Sequence, residues 1–186
     1  MITTKHTIIA LVEDKPGVLN RVSSLFRRRA FNIESIAVGH AELPGYSRMT
    51  IVVDGTNTTV EQVYKQLYKV IDVIKVSDIT EEDMVARELA LIKVKTTMTT
   101  RTEVIQIVDI FRANIIDVAP DSLVIEVTGD EDKIDSLIKL LKSYGIKELC
   151  RTGRVAMVRG VAGGSAPVIE EKINKGTNKT KTRRKE

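Results

Sequence analysis

Along the first half of the chain, apolar positions switch between a period of two and a period of three to four. Each switch marks an element. A β-type run at about 5–13 carries Ile8-Ile9-Ala10-Leu11-Val12. From about 17 to 29, Val18, Leu19, Val22, Leu25 and Phe26 share one stripe, which predicts an amphipathic helix. That helix ends in Arg27-Arg28-Arg29, cations suited to the negative end of the helix dipole. A second strand is predicted at about 32–41. Leu43-Pro44-Gly45 forms a turn, and a third strand at about 47–54 alternates Met49, Ile51 and Val53. Thr58 and Glu61 predict a capping box. It opens a helix with Val60, Val63, Tyr64, Leu67, Val70 and Ile71 on one face, and a strand from Val73 to Ile79 closes the set.

The second half repeats this order. A strand is predicted at about 87–95, and Thr100 with Glu103 predicts another capping box. Val104, Ile107, Val108 and Phe111 define a third helix. Strands at about 114–118 and 122–128 flank a turn at Ala119-Pro120-Asp121. Ile134, Leu137, Ile138 and Leu141 define a fourth helix that stops near Gly145, before a last strand at about 146–158. "LFRRRAFNIESI" echoes "IFRANIIDV", with Asn32 and Asn114 in the same place, a weak internal repeat. The order strand-helix-strand-strand-helix-strand, taken twice, predicts an α+β chain of two consecutive ferredoxin-like βαββαβ sandwiches. The first strand is apolar on both faces, so one face needs cover beyond its own helices, from an oligomer or a partner.

Charge separates the body from the tail. Residues 161–186 hold 7 Lys/Arg and 3 Glu, which leaves 22 of each sign in residues 1–160. The net charge of +4 is therefore carried by a Gly-, Lys- and Thr-rich tail, which predicts disorder there. The longest apolar runs are about five residues, against the ~20 that span a bilayer. The N-terminus shows no secretory pattern. A single cysteine, Cys150, makes no internal disulfide and points to a reducing, cytoplasmic setting. His6 and His40 are the two histidines; they and Cys150 do not give zinc spacing, and neither histidine sits in a nucleophile motif. His6, at a strand start, reads as a surface residue. No phosphate-binding glycine motif occurs. RNA-binding domains of the same strand order stack bases on aromatic residues of their central strands. "TIIALVE" and "SRMTIVVD" have none, and the body is charge-neutral, so nucleic acid is not expected as a partner.

"LVEDKPGVLNRV", between the first strand and the first helix, carries what chemistry there is. Unpaired N–H groups of Gly17, Val18 and Leu19 at a helix start suit a carboxylate. Gly17 lets a ligand approach the backbone. Asp14 and Asn32 offer oxygens to an ammonium group, and Val18, Leu19 and Ile33 offer apolar surface. Together these describe a site for a small aliphatic α-amino acid. The alternative is a plain turn, with Asp14 capping the helix and Asn32 starting a strand.

"EDKPGVLNRVSSLFRRRAFNIESI", followed by "SRMTIVVDG", resembles the N-terminal ACT domain of the regulatory (small) subunits of acetolactate synthase. The resemblance continues through "LYKVIDVIKVSDIT", "RELALIKVK" and "EVIQIVDIFRANIIDVAPDSLVIEVTG" to "RTGRVAMVRG", covering residues 1–160. It implies an ACT domain over 1–82 for effector binding and dimerisation. A second ferredoxin-like domain over 83–160 would activate the catalytic subunit, and 161–186 would be a disordered basic tail. It implies a homodimer through the ACT domains and a separate catalytic subunit that carries thiamine diphosphate, magnesium and FAD. No cofactor, metal or catalytic residue is then expected on this chain. Valine or a related branched-chain amino acid would be the feedback effector. Asp14 and Asn32 would hold its ammonium group, and the N–H groups of Gly17, Val18 and Leu19 its carboxylate. Several family members have Asn at the position of Asp14. "TTMTTRTEV", before the third helix, has no glycine or acid at the matching positions, so the second domain is not expected to repeat the site, although Asn114 is kept. The alternative is a free-standing ACT-type sensor acting on another partner or on nucleic acid.

Overall fold

A computed structural model of the chain describes residues 4–55 and 57–160; the side chains of residues 4 and 57–59 lie outside that description. The capping box at Thr58 and the disordered tail over 161–186 therefore fall outside the described residues. Contacts divide the chain into two units, built mainly from its first four strands and its last five.

In the first unit, β1 (Thr4–Glu13), α1 (Val18–Arg28), β2 (Ile33–His40), β3 (Tyr46–Gly55), α2 (Asn57–Leu67) and β4 (Val73–Asp78) follow in order. The sheet runs β2-β3-β1-β4, with β1 antiparallel to both neighbours. This is the ferredoxin-like order. Ile8 sits between Ile51 and Asp78, and Ala10 between Met49 and Val76. Val18, Val22, Leu25 and Phe26 of α1 and Val60, Val63 and Leu67 of α2 are buried. Each fully buried aliphatic side chain of this kind contributes about 1.5–3 kcal/mol. Leu19, expected on the buried stripe, is 49% exposed, and Ile71 lies beyond the end of α2 and is 86% exposed. Thr7, Ile9 and Leu11, on the face of β1 opposite Ile8 and Ala10, are buried within the chain.

In the second unit, β5 (Met84–Lys95), α3 (Arg101–Ile110), β6 (Asn114–Ala119), β7 (Ser122–Gly129), α4 (Glu131–Leu141) and β8 (Ile146–Arg151) give the sheet order β6-β7-β5-β8. Ala90, Ile92, Val94, Leu123, Ile125 and Val127 from the strands meet Val104, Val108, Ile134, Leu137 and Leu141 from the helices in one core. Asp130 caps α4, its carboxylate accepting from the Lys133 N–H at 2.8 Å. The single last strand expected at 146–158 is two strands. β9 (Val155–Val158) follows a break at residues 152–154 and pairs with β5. Gly153, at φ +79°, takes the left-handed conformation that ends β8.

Candidate functional site

The loop between β1 and α1 is tied down by its backbone. The Glu13 N–H donates to the Asp72 carbonyl at 2.9 Å, and the Asp14 N–H to the Gly45 carbonyl at 2.8 Å. The β2–β3 turn thus supports the loop from one side and the start of β4 from the other. Arg21 of α1 forms an ion pair with the buried Asp72 carboxylate, which fixes the first turns of the helix. The Glu13 carboxylate, 2.7 Å from Lys15 Nζ, raises the lysine above its ordinary range and occupies its ammonium.

Gly17 opens α1 at φ +88°, where an L side chain is strained, and a Cβ there would meet nothing within 4 Å. Glycine is therefore required by the backbone, and the space before it is open. No side chain caps α1. Among the described residues the N–H groups of Gly17 and Leu19 have no hydrogen-bond partner, whereas the Val18 N–H makes a long bond of 3.4 Å to the Lys15 carbonyl. The uncapped N–H groups and the dipole favour an anion. Val18 is buried, so its side chain belongs to the core and offers no surface to a ligand; Leu19 is exposed and Ile33 half-buried.

Asp14 does not cap the helix. Its carboxylate lies 3.2 Å from Nδ1 of His40, at the end of β2, and both side chains are exposed. Asn32 is exposed just after the end of α1, which closes with the Phe31 N–H on the Phe26 carbonyl at 3.1 Å and Ala30 at φ +55°. Sequence reasoning named Gly45 only as part of a turn and His40 only as a histidine outside zinc and nucleophile patterns, and it did not single out Arg21 or Asp72. That they meet at this loop follows from strand pairing over long separations, which no local pattern marks.

The second unit treats the matching helix start differently. The Thr97 carbonyl accepts from the Arg101 N–H at 3.0 Å. Thr97 Oγ1 accepts from the Thr100 N–H at 3.2 Å, and Thr100 Oγ1 accepts from the Thr97 N–H at 2.9 Å. This is a reciprocal box of two threonines one turn before the predicted Thr100–Glu103 pair. Thr100 itself is already helical, with no capping bond, and Glu103 instead accepts from the Tyr144 hydroxyl at 3.2 Å. The end of α3 does copy that of α1: Arg112 has φ +49°, the Ala113 N–H bonds the Val108 carbonyl at 3.0 Å, and Asn114 follows.

Comparison with known proteins agrees with this architecture. Residues 8–75 match the model of the "AHAS small subunit-like ACT domain", and residues 87–160 the model of the "Small subunit of acetolactate synthase". The chain is 61% identical over 156 residues to the probable acetolactate synthase small subunit of Archaeoglobus fulgidus, covering 84% of this chain and 98% of that one. It is 54% identical over 158 residues to the acetolactate synthase small subunit of Bacillus subtilis, covering 84% and 91%. The crystal structure of the acetolactate synthase small subunit from Thermotoga maritima superposes with a TM-score of 0.79 at 44% identity, over 86% of this chain and 99% of that one. With both units matched and more than four-fifths of its length shared with these relatives, the chain belongs to the acetolactate synthase small-subunit family.

Proposed function

We propose that this chain is the regulatory subunit that activates the thiamine-diphosphate catalytic subunit of acetolactate synthase and makes it responsive to valine, in isoleucine, valine and leucine biosynthesis. The observation that carries the effector site is the left-handed Gly17, which opens an uncapped helix start onto free space. The N–H groups of Gly17 and Leu19, with Val18 beside them, take the carboxylate of the amino acid. Asp14 and Asn32 take its ammonium, and Leu19 and Ile33 its aliphatic side chain. β2, which begins at Ile33, is an edge strand of its sheet. Its open backbone groups suit pairing with a second copy into a continuous sheet, with the effector at that junction. Residues 83–160 act on the catalytic subunit, which brings the thiamine diphosphate, magnesium and FAD; this chain supplies no catalytic group. Inhibition requires that valine favour one of two states of the complex.

Acetolactate formation by the reconstituted complex, with and without valine, tests this reading. Asp14→Ala and Asn32→Ala should abolish inhibition while activation persists. Full valine sensitivity in both variants overturns the site assignment, and failure of the unaltered chain to activate overturns the regulatory role. An extra methylene in an apolar pocket discriminates by only ~1–3 kcal/mol, so leucine and isoleucine should inhibit more weakly than valine and still measurably.

A further inference from the structure

The same backbone tie occurs at the same place in both units. In the first, the Glu13 N–H at the end of β1 donates to the Asp72 carbonyl, just before β4, at 2.9 Å. In the second, the Lys95 N–H at the end of β5 donates to the Gly145 carbonyl, just before β8, at 2.8 Å. Each tie follows a shift in strand register, between Leu11 and Val12 or between Lys93 and Val94. The first helices also open alike. The Arg21 N–H bonds the Gly17 carbonyl at 3.0 Å, and the Val104 N–H bonds the Thr100 carbonyl at 3.1 Å. Asp72 therefore corresponds to Gly145, and Arg21 to Val104.

The backbone repeats and the side chains do not. Asp72 is 6% exposed, and its carboxylate forms an ion pair with the Arg21 guanidinium. Gly145 has no side chain to offer, and Val104 belongs to the apolar core. The second unit reaches the same strand and helix order without the pair, so the fold does not require it. The pair occurs in the unit whose helix start has no side-chain cap. There Asp72 holds the loop from both ends: its carbonyl fixes Glu13 before the loop, and its carboxylate fixes Arg21 after it. Arg21 in turn holds the Gly17 carbonyl. That carbonyl and the Val18 N–H share one planar peptide, so the bond also fixes the direction of the Val18 N–H. In the second unit Thr97 and Thr100 bond each other's N–H groups just before the helix. A carboxylate that grips the helix one turn further on steadies its start and leaves the N–H groups there unoccupied.

We propose that Asp72 is a positioning residue of the effector site: through Arg21 it sets the start of α1 at the place where its N–H groups meet the ligand carboxylate. This inference rests on the valine reading and adds to that site a residue that acts without touching the ligand.

The test uses the complex of the full chain with the catalytic subunit. It reads the valine concentration that gives half-inhibition, with the thermal midpoint of each variant followed alongside. Asp72→Asn keeps the shape and the carbonyl tie and removes the charge, and Arg21→Met keeps the apolar stem. Each should raise the half-inhibitory concentration about tenfold, and the double variant should raise it no further, because both remove one coupling. Arg21→Lys keeps a cation that can reach the carboxylate and should retain most of the valine response, which a loss of packing alone would not produce. An unchanged response in both single variants overturns the proposal. So does a double variant in which the two losses multiply, or an Arg21→Lys chain no better than Arg21→Met. Asp14→Ala, measured beside them, separates this inference from the site it rests on. Loss of inhibition in Asp14→Ala with full sensitivity in Asp72→Asn overturns the positioning role alone, and full sensitivity in both overturns the effector site with it.

Discussion

The two units share a strand order and a way of ending their first helix, and they differ in how that helix begins. Just before α3, Thr97 and Thr100 bond each other's N–H groups through their hydroxyls, and the Arg101 N–H bonds the Thr97 carbonyl. α1 begins at a left-handed glycine with no side-chain cap. A threonine box stabilises a helix start and occupies N–H groups that a ligand could otherwise bond. An uncapped start sacrifices some of that stability and leaves N–H groups free for an anion. One fold can thus begin its first helix with a side-chain box or with an uncapped glycine, according to a few residues before that helix.

The largest expected effect comes from closing the open start. Gly17→Val has room for its side chain but strains the backbone, so it should cost about 1–2 kcal/mol or more in urea unfolding. It should also remove valine binding in calorimetry; retained binding would show that the glycine is there only for the turn. Opening the closed start is the converse. Thr97→Ala should cost about 1 kcal/mol, the usual value of a helix cap, and create no valine site, since no acid or glycine precedes α3. A smaller effect is expected at His40, whose imidazole lies beside Asp14 and, on the proposed site, would compete with the ligand ammonium for it. His40→Gln should tighten valine by a few-fold, and weaker binding would show instead that His40 holds the ligand.

The smallest effect lies on the surface of the second unit. Lys147, hydrogen-bonded to Asp121 at 2.5 Å, holds that carboxyl below its ordinary range. A depressed carboxyl stabilises the fold above its unfolded pKa, and that contribution is lost as pH falls through the folded value. Lys147→Met should move the Asp121 titration, followed by NMR, up toward the usual ~3.9. Because Asp121 is fully exposed, unfolding midpoints near neutral pH should barely change.

Much of this was readable from the chain because it depends on local periodicity. Alternation in "SRMTIVVD" and the stripe from Val18 to Phe26 follow the periods of strand and helix, and the elements appear where those patterns put them. Asn32 and Asn114 could be matched because both follow the same helix ending. The capping residues of α3 were misplaced by one turn, since "TTMTTRTE" offers several hydroxyl pairs and only the backbone path selects Thr97 with Thr100. The last strand was overextended because apolar residues resume at Val155, so the interruption at Thr152-Gly153-Arg154, where the pairing breaks, was read through. Neither the burial of His6 nor the approach of His40 to Asp14 could be read locally. The first depends on β1 being central, the second on β2 and β3 bringing the end of one strand beside the end of another.

The placement of β1 also has a consequence during synthesis. Its apolar run leaves the ribosome before both of its strand neighbours: Ile8 has none until Ile51 exists and lacks the other until Asp78 does. At the usual ~5–20 residues per second, this apolar strand waits unpaired for seconds. Newly made chains should therefore depend on holdase chaperones until α2 and β4 emerge, and truncated translation products ending before β3 should be the species that aggregate.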